Sequence, residues 1–144
     1  MALKVELKPG ERVIIGDCIV TNSDQRTRLL IEGETPILRE KDILTSETAN
    51  TPAKRIYLCV QLMYLSRDSS QHHATYFQLM RDIVQAAPST WPYVGAITNN
   101  ILTGELYKAL KAARKLIAYE EGLLRNAIRS ASLRSGSEGD RKST

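Results

Sequence analysis

Four basic residues lie close together in the C-terminal third of the chain and have the chemistry to bind phosphate. Lys108, Lys111, Arg114 and Lys115 fall within about two turns of a predicted helix, so their cations occupy a wide arc of it. Clustered ammonium and guanidinium groups of this kind neutralise the phosphates of a nucleic acid. The same pattern also fits a helix face that is merely solvated, and the sequence leaves both interpretations open.

The other chemically active side chains form no recognisable catalytic or metal-binding motif. His72 and His73 are adjacent, and neighbouring helical residues point about 100° apart, so the pair is poorly placed to bind one metal ion. The sequence has no Gly-rich phosphate loop, no Gly-x-Ser-x-Gly elbow and no His-Glu-x-x-His motif. Cys18 and Cys59 lie among apolar residues and are predicted to be buried thiols without a disulfide. We therefore expect no catalysis, no metal and no cofactor.

Charge is distributed unevenly along the 144 residues, whose net charge is +4. Residues 1–50 hold seven Lys/Arg against nine Asp/Glu, whereas residues 104–144 hold nine against five. This asymmetry is compatible with an anionic partner near the C-terminal part. The N-terminus has no apolar stretch typical of a signal peptide, and no apolar run is long enough to cross a bilayer. We expect a cytoplasmic protein without a membrane partner.

The N-terminal third has the pattern of short antiparallel strands. Its apolar residues alternate or form short β-branched runs, and turn-forming pairs such as Pro9-Gly10 and Gly16-Asp17 separate them. Strands at such short intervals predict a small antiparallel sheet or barrel over residues 1–50.

A helical part follows, so the predicted fold class is α+β. Thr51-Pro52 is a typical helix start, because threonine caps the first turn and proline is favoured at the first helical position. Apolar stripes predict a bundle of about four helices over residues 51–129, with Ser89 capping the third and Thr103 beginning the fourth. Residues 130–144 contain almost nothing apolar and are predicted to be disordered.

Aromatic residues are candidates for RNA binding, because single-stranded RNA is often held by stacking on aromatic rings. Those that fit the helical stripes are predicted to belong mostly to the core. They are Tyr57, Tyr64, Tyr76, Phe77, Tyr107 and Tyr119.

From Leu3 to about Leu124 the chain resembles the FlbT family of flagellin repressors. Long runs in fixed order carry the match, at residues 3–12, 26–33, 36–44, 51–57 and 81–89. The resemblance implies a post-transcriptional regulator that associates with the 5′ untranslated region of flagellin mRNA and lowers expression by promoting decay of the message. It also implies a second regulator, FlaF, in the same pathway.

The β part is similar in layout to CsrA, a small dimeric mRNA-binding protein. The similarity rests on Gly10-Glu11, on Ile15-Gly16-Asp17 and on Arg39-Glu40 leading to Ile43. In CsrA-like proteins the first strand of one subunit lies beside the last strand of the other, and RNA binds along that composite edge. The similarity therefore implies a homodimer or a larger even assembly, because a monomer would leave both edges unpaired.

The CsrA similarity also implies roles for single residues. Arg39 matches the RNA-contacting arginine after the last strand, and of the two basic residues that precede Gly-Glu in CsrA only Lys8 is kept, with Leu7 in the other place. RNA affinity from this edge alone is expected to be weaker than in CsrA, or other surfaces must contribute. The candidate RNA-binding residues of the β part are Lys4, Lys8, Arg26, Arg28, Arg39 and Lys41.

Ordinary surface ion pairs are the alternative for two of these candidates. Arg28 is able to pair with Glu32 or Glu34, and Arg39 with Glu11. Exposed pairs of this kind contribute less than about 1 kcal/mol.

Two functions follow from the sequence. The first is an mRNA-binding repressor, favoured by the CsrA-like layout and the basic last helix. The second is a protein-interaction adaptor of flagellar assembly, whose helical part docks a partner and whose RNA association is indirect. The acidic balance of residues 1–50 favours the adaptor. DNA is not an expected partner in either case.

Overall fold

The N-terminal strands form two small antiparallel sheets. The computed structural model describes the backbone of residues 2–143 and the side chains of residues 2–132. Its strands are β1 (Ala2–Leu7), β2 (Arg12–Ile15), β3 (Cys18–Thr21), β4 (Thr27–Glu32) and β5 (Ile37–Arg39). One sheet pairs β1 with β4, and the other has the order β3-β2-β5. The predicted antiparallel β part is confirmed, without a closed barrel among the described residues.

Four α-helices follow, which confirms the α+β class. They are α1 (Pro52–Leu65), α2 (His73–Ala86), α3 (Trp91–Leu102) and α4 (Leu106–Ser143). The Thr51 side chain caps α1 by accepting a hydrogen bond from the Lys54 backbone N–H, as predicted. In the described part of the chain, no helix has the length and apolar character needed to span a membrane. The predicted disorder of residues 130–144 falls almost wholly outside the described side chains and stays a prediction.

Two predicted helix starts are wrong. Ser89 lies in a 3₁₀ turn before α3, and its Oγ accepts a hydrogen bond from the Tyr119 hydroxyl at 2.7 Å, so it caps no helix. Thr103 ends α3 and α4 begins only at Leu106. The reason is Gly104, whose φ of +77° is the left-handed conformation that glycine supplies at the C-terminus of a helix.

The sheets and helices form three layers. Val5, Leu7 and Val13 are buried between the two sheets. On the other face of the three-stranded sheet, Leu38 belongs to the core cluster of the helices, and Ile14 packs against that cluster. Neighbouring residues of a strand point to opposite faces, so a three-stranded sheet with apolar residues on both faces joins the β and helical parts.

Two side chains of helix α1 also hold β5 and the chain that follows it, by hydrogen bonds to backbone groups. The Gln61 side chain accepts from the Leu44 N–H at 2.9 Å and donates to the Leu44 carbonyl at 3.0 Å. The Tyr64 hydroxyl makes the same pair of bonds with the backbone of Ile37, at 3.1 and 3.2 Å. These side chains give partners to part-buried backbone groups of β5 and of the segment after it.

We predict that Gln61→Leu destabilises the fold by about 2 kcal/mol. Gln61 is buried, and an apolar replacement leaves both backbone groups of Leu44 without a partner, each at a cost of about 1–3 kcal/mol if it stays dry. Urea unfolding followed by circular dichroism measures the loss. Gln78→Leu, at an exposed position of α2, is the matched control and is expected to change the free energy of unfolding by less than about 0.5 kcal/mol.

The two cysteines differ, which corrects the prediction that both are buried. Cys59 is buried in the helical core, whereas Cys18 is exposed because β3 lies at the edge of its sheet. Burial raises the pKa of the Cys59 thiol to about 11. Since the thiolate is the reactive form, we expect native protein at about pH 8 to be alkylated by iodoacetamide at Cys18 alone. Urea is expected to expose Cys59, and alkylation of Cys59 in the native state would contradict its burial.

Candidate nucleic-acid interface

Strands β1 and β5 border a common cleft within one chain. Each pairs on one edge, β1 with β4 and β5 with β2, and the Arg39 Nη2 on β5 donates a hydrogen bond to the Glu6 carbonyl on β1 at 3.0 Å. We call the facing parts of β1 and β5 the rim. The two strands belong to different sheets and are not paired with each other, so this side-chain bond is a contact that joins them. The predicted pairing between two subunits, and with it the homodimer, stays a prediction.

Four of the predicted residues line the rim cleft, whose volume is about 220 Å³: Lys8, Arg26, Arg39 and Lys41. Two carboxylates lie there too, and both have partners. Glu6 forms an ion pair with Arg28 at 3.0 Å, and Glu11 accepts a hydrogen bond from the Lys8 backbone N–H at 2.9 Å. Arg28 therefore pairs with the opposite strand rather than with Glu32 or Glu34, as the register between Glu6 and Arg28 requires.

Arg39 is held at the junction of the two strands. Its expected alternative, an ion pair with Glu11, is not what the structure has, because its guanidinium bonds to the Glu6 carbonyl instead. The Nε atom of Arg39 is buried and has no partner among the described residues. The bond from Nη2 uses one of the five N–H donors of the Arg39 guanidinium. It orients this planar group, which lines the rim cleft.

A second cleft, of about 360 Å³, connects the rim to the helices. Lys4 and Arg39 line it on the β side, and Tyr64 and Tyr107 line it on the helical side. The Tyr107 side chain is 45% exposed, so the prediction that the tyrosines of the helical stripes are mostly core is wrong for this residue. Tyr57 and Tyr76 are buried as predicted.

The four cations of α4 divide into a group of three and a single arginine. Lys108, Lys111 and Lys115 line one cleft of about 350 Å³ between α3 and α4, which we call the lysine cleft. Their spacing of three and four residues places them on one face of the helix. Glu105 forms an exposed ion pair with Lys108 at 2.8 Å. The other two cations of the lysine cleft are Lys111 and Lys115.

Arg114 points away from the lysine cleft and supports the rim instead. It forms an ion pair with Asp42 at 2.8 Å, and the Tyr57 hydroxyl donates to the backbone carbonyl of Asp42. Asp42 ends the 3₁₀ turn that directly follows β5. Burial raises the pKa of Tyr57, so its hydroxyl stays a donor at neutral pH. Arg114 is thus paired with Asp42 and does not line the lysine cleft, and its predicted role in phosphate binding stays a prediction.

One shared side chain and one cation–π contact link the three clefts. Arg39 lines both the rim cleft and the second cleft. Tyr107 lines the second cleft and lies under the Lys111 ammonium, whose Nζ is 4.9 Å from the ring centroid, and Lys111 lines the lysine cleft. We call this connected surface the basic track. Its continuity was not visible in the sequence, because it joins residues of β5 and α4 that are far apart along the chain.

Comparison with known proteins gives a consistent family match. The family model for flagellar protein FlbT matches residues 3–124. A protein of Bradyrhizobium diazoefficiens described as probable flagellum biosynthesis repressor protein FlbT 1 is 69% identical over 124 residues, 85% of each chain. A probable FlbT repressor of Rhodopseudomonas palustris is 56% identical over 86% of this chain and 98% of its own, and the flagellum biosynthesis repressor of Caulobacter vibrioides is 36% identical over 84% and 88%. No solved structure matches the chain.

Proposed function

We propose, from the premise that the chain belongs to the FlbT family of flagellar proteins, that it represses flagellar expression by binding flagellin mRNA directly. Its relatives are named repressors of flagellum biosynthesis. The site of action is the 5′ untranslated region of the message, and binding there promotes decay of the transcript. The protein acts as a regulator rather than as an enzyme.

The observation that carries this proposal is the continuity of the basic track. Cations along a groove follow a phosphate backbone, and an aromatic ring among them offers a surface on which a base stacks. The track has both, because Tyr107 lies between Arg39 at the rim and Lys111 on α4. A single RNA strand is thus offered phosphate partners by the β part and by the helical part together.

The track also accounts for the weakness expected of the β part alone. Residues 1–50 are net acidic, and one basic residue of the CsrA pattern is replaced by Leu7. The rim cleft holds two carboxylates beside its four basic residues, and three lysines of α4 add further cations. Affinity for a polyanion grows with the number of phosphates neutralised, so the helical contribution compensates for the sparse rim.

A protein-interaction adaptor is the second candidate function, and two exposed apolar residues of α4 support it. Near the end of the described side chains, Leu124 and Ile128 of α4 are 48% and 70% exposed. Residues four apart lie on the same helix face, so the two form an apolar strip suited to a protein partner. In that case the flagellar partner, not this chain, would contact the message.

A salt titration with the purified full chain and a flagellin leader RNA separates the two candidates. Direct binding through about four to seven phosphate contacts predicts a log–log slope of about −3 to −5 for a single strand. Fluorescence anisotropy of labelled RNA measures it. Absence of binding at low salt, together with binding that returns only when a second flagellar protein is added, would establish the adaptor instead.

A further inference from the structure

A rigid aromatic pair stands beside the lysine cleft. The rings of Tyr93 and Tyr119 are stacked, with centroids 4.6 Å apart and an interplanar angle of 23°. The Tyr119 hydroxyl donates a hydrogen bond to Ser89 Oγ at 2.7 Å, which fixes the Tyr119 ring. Since Tyr119 supports one side of it, the Tyr93 ring is held in place before any ligand arrives.

Tyr93 is also part of the lysine cleft wall. Pro92, Ala96 and Ala112 give that wall an apolar surface beside the ring, and Asn100 adds an amide that both donates and accepts hydrogen bonds. At about 350 Å³ the cleft lies at the small end of the range for small-molecule sites. An aromatic and apolar wall with ammonium groups along α4 fits a flat, uncharged ring system joined to an anion.

We propose that the lysine cleft accepts one unpaired RNA base against Tyr93 while Lys111 and Lys115 hold the adjoining phosphates. This rests on the proposed function and specifies the form of RNA that is bound. A base that is already paired and stacked in a duplex must be extracted before it reaches Tyr93, at a cost of unstacking and unpairing. The cleft therefore selects single-stranded segments of the leader over duplex ones.

The test uses the purified full chain and one leader segment in two forms, unpaired and annealed to its complement. Wild-type protein is expected to prefer the unpaired form by at least about tenfold, and Tyr93→Leu is expected to weaken unpaired binding by about 5- to 150-fold, the range for stacking one base. The salt slope stays unchanged, because Tyr93→Leu removes no cation. The matched control is Phe77→Leu, which removes a half-buried aromatic ring of α2 outside the basic track and is expected to leave binding unchanged.

Tyr93→Phe provides a second variant that keeps the ring and the stack. It is expected to bind as the wild type does. The circular dichroism spectrum of Tyr93→Leu is expected to match that of wild type, which separates loss of the ring from loss of the fold. Trp91, the single tryptophan, is 57% exposed and two residues from Tyr93, so its fluorescence is expected to change when unpaired RNA binds to wild-type protein and to Tyr93→Phe. A Tyr93→Leu protein that binds unpaired RNA as tightly as wild type overturns the proposal, as does an equal loss for both RNA forms. RNA binding that is absent altogether refutes the proposed function as well.

Discussion

Replacement of Lys108, Lys111 and Lys115 by alanine together is expected to weaken binding to leader RNA by about 100-fold at about 50 mM salt. All three line one cleft and lie on one face of α4. Loss of two phosphate contacts, at Lys111 and Lys115, or of three if Lys108 exchanges Glu105 for a phosphate, reduces the log–log salt slope by about 1.4 to 2, so the variant approaches wild type as salt rises. Anisotropy titrations at four or more salt concentrations measure both changes.

The matched control removes the same charge elsewhere. Arg55, Arg67 and Arg81 are exposed on or near α1 and α2, and none of them lines the clefts of the basic track. Their joint replacement by alanine is expected to leave the salt slope within about 0.5 of the wild-type value, because no phosphate contact is lost. Equal losses in the two triple variants would mean that net charge alone attracts RNA and that the lysine cleft has no special role.

The second large effect is expected at Arg39. Arg39→Ala removes a guanidinium that is oriented by the Glu6 carbonyl and lines two clefts of the basic track. If this group contacts a base edge, the loss is about 1–3 kcal/mol in binding, which corresponds to about 5- to 150-fold. Competition with unlabelled leader RNA measures it.

A lysine at the same position separates charge from shape. Arg39→Lys keeps the positive charge but loses the planar fork, so we expect the salt slope of wild type with most of the affinity still lost. Arg81→Ala, an exposed arginine of α2, is the control for a lost guanidinium. Wild-type affinity in Arg39→Ala would remove the rim from the binding surface and contradict the role implied by the CsrA similarity.

Local patterns predicted most of the secondary structure, apart from the starts of α3 and α4. Alternating apolar residues and turn-forming pairs predicted the antiparallel β part, and Thr51-Pro52 predicted the start of α1, because these signals depend on neighbouring residues only. The missed boundary at Thr103 also had a local signal, since Gly104 is a typical helix terminator. Family membership was likewise readable from long runs in fixed order and is confirmed by the family match.

The arrangement of the candidate site was only partly predictable. Helical spacing groups the four cations of α4 on one wide arc, and only the folded chain shows that Asp42 lies beside Arg114. The exposure of Tyr107 and the stacking of Tyr93 depend on how α3 and α4 pack. A stripe of apolar residues in the sequence does not show this packing. The contact between Arg39 of β5 and Glu6 of β1 depends on how the two sheets pack, which local sequence patterns do not describe.

Photo-crosslinking of purified protein to a 4-thiouridine-labelled flagellin leader, followed by mass spectrometry, tests the basic track most directly. We predict crosslinks in peptides from both parts of the chain, one containing Arg39 or Lys41 and one containing Tyr107 or Lys111, with none on the exposed face of α2. Crosslinks confined to α2, or an RNA that crosslinks only to an added protein partner, would contradict direct binding along the track.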